Sequence, residues 1–252
     1  MQIQLGPFHL PTYATLLSLG LLGSVLISMW HGRRLGLSPI LSFDAVLLGA
    51  SGGLVGARAT YVAINWAYYE QHLSEALRLR AGGLTWQGGL LLGLLLVGLY
   101  AAHRRLSLGL LLDALAPGIA WFNLFLWLGS AVAHDVYGRE TFPTERLWSL
   151  SADLPDLYGL HAPRVNVSLL GAVWSGLVLL GLWLLRGRSS APGALFLACL
   201  ALTGLGGLML VPLQANPVPH LFHLRLDSLF YLLLALGGPV GLVAQRFRAR
   251  VA

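Results

Sequence analysis

The stretch that decides the fold is DALAPGIAWFNLFLWLGSAVA, residues 113–133, which runs through His134-Asp135 into VYGRETFPTERLW, residues 136–148. Its first part is long and apolar enough to cross a bilayer, because about 20 apolar helical residues span the hydrocarbon core. Asn123, Trp127, Ser130 and His134 fall at i, i+4, i+7 and i+11, which places all four on one helical face. A semi-polar stripe that ends in a Gly-Arg-Glu-Thr exit loop points to a site near a membrane surface. The alternative is a stripe used for helix packing, followed by an ordinary loop.

The rest of the chain is of the same kind. Of its 252 residues 56% are hydrophobic and only 10% charged, and the mean hydropathy is +0.72. That composition predicts an all-α, polytopic integral membrane protein and excludes a soluble domain. Long continuous apolar runs exclude a transmembrane barrel, which would alternate in ten-residue segments. The net charge of +6 comes from arginine alone, since the chain holds no lysine, and the arginines cluster at helix ends rather than on a nucleic-acid-binding face. No nucleic-acid partner is expected. The lone Cys199 lies in an apolar run and reads as a small buried hydrophobe. The N-terminal MQIQLGPFHLP lacks a basic region, so no cleavable signal peptide is expected.

Apolar windows predict seven spans near residues 12–30, 40–66, 84–102, 108–133, 167–185, 193–214 and 226–245, in a single membrane domain covering 1–252. The one long polar connection, 134–166, reads as a functional loop or small subdomain. Arg33-Arg34, Arg104-Arg105, Arg186, Arg188, Arg246, Arg248 and Arg250 follow spans one, three, five and seven. Arg78, Arg80 and Arg225 lie on the other side. The positive-inside rule therefore predicts an outside N-terminus, a cytoplasmic C-terminus and an extracytoplasmic 134–166 loop.

Asp44, Arg58, Tyr61, Gln87, Asp113, Asn123 and Asp227 lie within or at the edges of spans, where polar groups face the protein interior or a water-filled cavity. Arg58, in GARATYV, reads either as an ion pair with a carboxylate such as Asp113 or as an anion site for a lipid phosphate, which its donor fork suits. Asp44 and Asp113 read as acidic residues at helix N-termini. The glycine-rich turn AGGLTWQGGLLLG, residues 81–93, permits bending and close backbone approach, and its Gln87 could bond a headgroup or tie two helices. GLGGL at 204–208 reads as helix packing.

Four of these motifs, in this order, resemble the prolipoprotein diacylglyceryl transferases of the bacterial inner membrane. LGPFHLPTYATLLSLGLLG is similar to the family's first span, with Tyr13 at its functional tyrosine. GARATYVAINW resembles the second-span motif through Gly56, Arg58 and Tyr61. GGLTWQGGLLLG resembles the family's Gly-Gly-Leu-x-x-His-Gly-Gly turn. DALAPGIAWFNLFLWLGSAVAHDVYGRET resembles the family signature through Asp113, Pro117, Gly129, Asp135 (a Glu in the family), Gly138, Arg139 and Thr141. The departures are Gln87 for the turn His, Trp127 for the signature Arg, and Ser130 for an Asn. In GLGGLMLVPLQ, Gly207 and Val211 stand where the family has an Arg and a Glu. RVNVSLLG, residues 164–171, lacks the family's Gln-Leu-Tyr-Glu.

The resemblance implies transfer of diacylglyceryl from phosphatidylglycerol to the thiol of a lipobox cysteine, in lipoprotein biosynthesis, with no cofactor and no metal. Such a reaction needs a thiolate and a cation on the departing phosphate. The candidate catalytic residues are His134 as base, Asp135 beside it to orient the imidazole, and Arg139 as cation. The candidate lipid- or phosphate-binding residues are Tyr13, Arg58, Tyr61, Gln87, Asn123, Ser130 and Gly138. The expected partners are a phosphatidylglycerol-like phospholipid, a lipobox precursor peptide or other membrane subunits. A second reading stays open: a catalytically inactive homologue that serves as a lipid-binding or structural subunit, its cavity filled by Trp86, Trp121 and Trp127.

Overall fold

The computed structural model describes residues 2–5, 8–79, 82–156, 158–187, 191–221 and 224–251. Arg80 and Arg188, used above for orientation, lie outside them. In chain order the elements are β1 (Gln2–Leu5), β2 (Phe8–Pro11), α1 (Thr12–Arg34), α2 (Pro39–Ile64), α3 (Trp66–Tyr69), α4 (Leu73–Ala76), α5 (Trp86–His103) and α6 (Leu108–Ala133). Next come β3 (Ser151–Pro155), β4 (His161–Val165), α7 (Val167–Leu185), α8 (Ala194–Leu210), β5 (His220–Leu221), β6 (Leu224–Arg225) and α9 (Leu226–Val251). A 3-10 turn, Val211–Leu213, extends α8. Seven of the helices among the described residues are long and apolar enough to cross a membrane: α1, α2, α5, α6, α7, α8 with its extension, and α9. Their bounds match the seven expected spans to within about four residues. The protein is an all-α integral membrane protein. An odd number of spans puts the two ends of the chain on opposite faces, with the 134–166 loop on the face of the N-terminus. Three two-stranded antiparallel hairpins, β1-β2, β3-β4 and β5-β6, were not expected from the sequence.

The chain divides into two compact units, residues 28–115 and residues 1–27 with 116–252. In the first, α2 and α5 pack backbone to backbone. A Cβ added at Gly89 would stand 2.8 Å from the Gly53 carbonyl oxygen, and one at Gly93 would stand 2.9 Å from that of Gly49. Asp44 and Asp113 are each the sixth residue of their helix, and no acid lies in the first turn of α2 or α6. The helix-dipole expectation therefore fails. Asp44 instead accepts the Tyr100 hydroxyl at 2.9 Å and faces Arg104 at 4.0 Å.

In the second unit, Gly204 of α8 lies directly on the α9 backbone at Tyr231 and Ala235, and Gly206 lies under the Trp174 indole of α7. The Trp174 Nε1 donates to the Leu202 carbonyl at 2.9 Å. The glycine cluster does serve helix packing. Cys199 is 1% exposed, as expected, with its thiol 3.7 Å from the Ala116 carbonyl oxygen.

Candidate functional site

In the second unit the polar stripe of α6 faces α7. Asn123 Nδ2 donates to Ser175 Oγ at 2.9 Å, and the Ser175 hydroxyl donates in turn to the Gly171 carbonyl at 2.8 Å. The Trp127 indole lies flat against Gly171, where any Cβ would collide with it, and packs on Val165, Val167 and Leu210. Ser130 donates to the Asp135 carboxylate. Ser168 Oγ contacts Ser130 Oγ at 3.4 Å and donates to the Val136 carbonyl at 3.1 Å. Asn123, Trp127 and Ser130 thus meet Ser168, Gly171 and Ser175, which repeat at helical spacing on α7. Interhelical hydrogen bonds of this kind contribute about 0.6 kcal/mol each in a membrane.

His134 ends α6. Its φ is +55°, a left-handed conformation that favours glycine, and its N–H returns to the Ser130 carbonyl at 2.8 Å. The imidazole is exposed and makes no hydrogen bond to Asp135 among the described residues; one oxygen of that carboxylate accepts from Ser130 instead. The orienting pair expected from adjacency is therefore absent from this arrangement.

Residues 137–141 then run as an extended segment between two neighbours. Arg139 N–H donates to the Leu213 carbonyl at 2.8 Å and Ala215 N–H to that of Tyr137 at 3.0 Å. On the other edge, Val165 N–H donates to the Arg139 carbonyl at 3.1 Å and Thr141 N–H to that of Pro163 at 2.9 Å. Only glycine fits at 138, since a Cβ would run into the Val165 carbonyl oxygen. This framework presents Arg139 half-exposed, its Nη2 3.1 Å from Glu145 Oε2. Tyr13 lies against Gly129, its ring 3.1 Å from where a Cβ would be.

Two arginines of this unit were not among the candidate site residues. Arg164 is 6% exposed. Its Nη2 lies 2.9 Å from Glu140 and 3.3 Å from Asp156, and its guanidinium lies over the Tyr137 ring at 5.4 Å. The N–H of Leu160 above all holds the Asp156 carboxyl below its ordinary value; burial pushes the other way, and the N–H of Tyr158 and the Arg164 charge add to the lowering. Arg225 donates to the Gln214 carbonyl at 3.1 Å and to its side-chain oxygen at 3.3 Å. Nothing in the sequence singled these out, because a loop arginine looks the same whether or not it is buried.

At Gly207 the α9 residue Tyr231 lays its ring where a side chain would begin. Gly207 and Trp127 are the two places where the family resemblance implies an arginine, and an aromatic ring fills both.

In the unit of residues 28–115, Arg58 is 5% exposed and meets no carboxylate among the described residues. Nε donates to the Ala76 carbonyl at 2.7 Å, Nη2 to that of Glu75 at 2.7 Å, and Nη1 to those of Gly82 at 2.5 Å and Gly83 at 3.1 Å. The ion pair with Asp113 is thereby corrected to a cage of backbone carbonyls, which leaves one of the five N–H groups for any other acceptor. The rings of Tyr61 and Tyr69 flank the guanidinium at 5.8 and 5.4 Å, and Tyr61 presses on Gly83. Tyr68 donates to Glu75 at 2.8 Å, a bond that raises its phenol above 10.0. Gln87 is 3% exposed, between Gly88, which abuts Thr60, and Trp86. No cluster of three or more His, Cys, Asp or Glu among the described residues could hold a metal ion.

Comparison with known proteins agrees with this architecture. The family model for prolipoprotein diacylglyceryl transferase matches residues 1–243. The chain is 25% identical to the phosphatidylglycerol–prolipoprotein diacylglyceryl transferases of Streptococcus pyogenes serotypes M5 and M1, over 97% of this chain and 94% of each relative. It is 30% identical to the protein of that name from Lactobacillus johnsonii, over 54% of this chain and 49% of the relative. The chain belongs to the prolipoprotein diacylglyceryl transferase family.

Proposed function

We propose that this family member binds a phosphatidylglycerol-like phospholipid in a bacterial inner membrane without itself carrying diacylglyceryl transfer, as a lipid-binding or structural subunit for other membrane proteins. One observation carries the reading: the Trp127 and Tyr231 rings fill the two places where the family resemblance implies arginine. Transfer moves the glyceryl carbon from phosphate oxygen to thiolate sulfur, so negative charge builds on the phosphate as the C–O bond breaks. Cations placed for that charge lower the barrier, and losing one such stabiliser costs about 10²–10³ in rate. Arg58 does not replace them, since four of its N–H groups serve its own loop. His134 makes no hydrogen bond to a carboxylate among the described residues that would orient its imidazole as a base.

A second reading, an active transferase that moves diacylglyceryl to a lipobox peptide, is favoured by Arg139. Its guanidinium is half-exposed on a backbone held rigidly from both edges, with one carboxylate partner. The deciding measurement is transfer of labelled diacylglyceryl from phosphatidylglycerol to a lipobox peptide by the purified protein, beside an authentic relative. The expected result is turnover lower by about 10⁴-fold or more, with phosphatidylglycerol still co-purifying. Turnover comparable to the relative, abolished in Arg139→Ala or His134→Ala, would establish the second reading instead.

A further inference from the structure

The unit of residues 28–115 carries a basic end that none of the readings above uses. Tyr100 and Arg104 meet Asp44 at 2.9 and 4.0 Å, which brings the end of α5 to the start of α2. A Cβ at Gly32 would run into the Ser42 hydroxyl and stand 3.5 Å from Ala114, which brings the end of α1 and the start of α6 to the same place. Arg33, Arg34, His103, Arg104 and Arg105 therefore gather at one end of the unit, beside the part-buried carboxylate of Asp44. By the threading of the spans this end lies on the bilayer face opposite the 134–166 loop.

The guanidinium groups of Arg33, Arg34 and Arg105 make no hydrogen bond or ion pair among the described residues, so their donors face outward unspent. The Arg34 guanidinium lies over the Trp30 ring at 4.1 Å, and Trp30 is 45% exposed at the last turns of a membrane span. Arg104 stands over Tyr100 in the same way at 5.6 Å. Interfacial aromatic rings sit at headgroup depth, so a guanidinium stacked on one is held at the level of lipid phosphates. Arg105 adds a conformational sign. Its φ is +53°, whereas the equivalent turn after α1 uses Gly36 at φ +81°. An arginine is kept where a glycine would be less strained, and strain retained at one residue points to a use for its side chain.

We propose that this end of the protein is a binding site for the headgroup phosphate of an anionic phospholipid in the leaflet opposite the 134–166 loop, with Arg33, Arg34 and Arg105 as its donors and Trp30 as the plate that levels Arg34. A free phosphate ion would offer the same acceptor oxygens, but the aromatic plate at headgroup depth favours the lipid. The inference stands independently of the lipid handling proposed above, which uses none of these residues.

The test is lipid selectivity of the full chain reconstituted in phosphatidylcholine vesicles carrying a trace of spin-labelled phosphatidylglycerol or spin-labelled phosphatidylcholine. A basic residue near the surface is worth about a five-fold preference for an anionic lipid. The protein is expected to hold phosphatidylglycerol at least about five-fold more tightly than phosphatidylcholine. That preference should fall by about five-fold or more in the Arg33→Gln/Arg34→Gln/Arg105→Gln variant, leaving only what the lipid site proposed above holds, and by about two-fold in Trp30→Ala. An unchanged preference in the triple variant overturns the proposal. Loss in Arg139→Gln alone would assign the lipid to the 134–166 side, which overturns this site and supports the other. Displacement by millimolar inorganic phosphate would make it a free-anion site, which also overturns it. Should the glutamine variant fail to assemble, the triple lysine variant decides. It is expected to keep the preference in low salt and lose it in about 1 M salt, where screening is nearly complete at about 3 Å, and a salt-independent preference overturns the proposal.

Discussion

Arg58 and Arg164 are 5% and 6% exposed, and each anchors a connection on the membrane face of the N-terminus, but they are neutralised in opposite ways. Arg58 gathers four neutral carbonyl oxygens, of residues 75, 76, 82 and 83, and two tyrosine rings, with no carboxylate on the guanidinium among the described residues. Arg164 gathers Glu140 and Asp156, and pins β4 to the extended 137–141 segment. A carbonyl cage keeps its partners at any pH and binds the arginine through backbone geometry alone. A carboxylate clamp depends on two side chains staying ionised. The first connection is therefore a fixed structural element, and the second can be loosened by acid.

The largest effect expected along this contrast is from Arg58→Leu. It strands four carbonyl acceptors, at residues 75, 76, 82 and 83, at a cost of about 3–5 kcal/mol in all. Hydrogen exchange should lose its protection across 65–85 while 151–165 is unaffected, and undiminished protection would mean that water satisfies those carbonyls. Arg164→Gln should cost less, about 2–3 kcal/mol, because Glu140 is 54% exposed and can turn to water. Limited proteolysis between Ser151 and Val165 should rise while the 65–85 connection stays protected.

The smallest effect is from pH. The folded Asp156 carboxyl titrates below its ordinary 3.8, so its contribution is complete above that value and is lost as pH falls through the lower folded value. Cleavage of the β3-β4 hairpin by pepsin should be equally slow at pH 5 and pH 4.5, and should accelerate only below about pH 4. The Arg58 connection should show no such step. Acceleration in both would mean global acid unfolding rather than release of one clamp.

The seven spans were legible because each is a long apolar run, and a helix is the form that satisfies its own backbone in hydrocarbon. The polar stripe of α6 was legible as a stripe, but not its use. Whether Asn123 and Ser130 faced a ligand or α7 depended on Ser168, Gly171 and Ser175, which lie more than thirty residues away in the chain. Adjacency misled at His134-Asp135, where a left-handed φ turns the chain and leaves the carboxylate to Ser130. It misled again at Asp44 and Asp113, which stand a turn too deep in their helices to meet the dipole.

By itself, then, the sequence determined the membrane class, the number and bounds of the spans, and the family, because hydropathy and motif order are local properties of the chain. The partners of Arg58, the burial of Arg164 and the rings over Gly171 and Gly207 were decided by tertiary structure alone. Backbone carbonyls carry no residue identity, and the space beside a glycine belongs to whichever distant helix packs there.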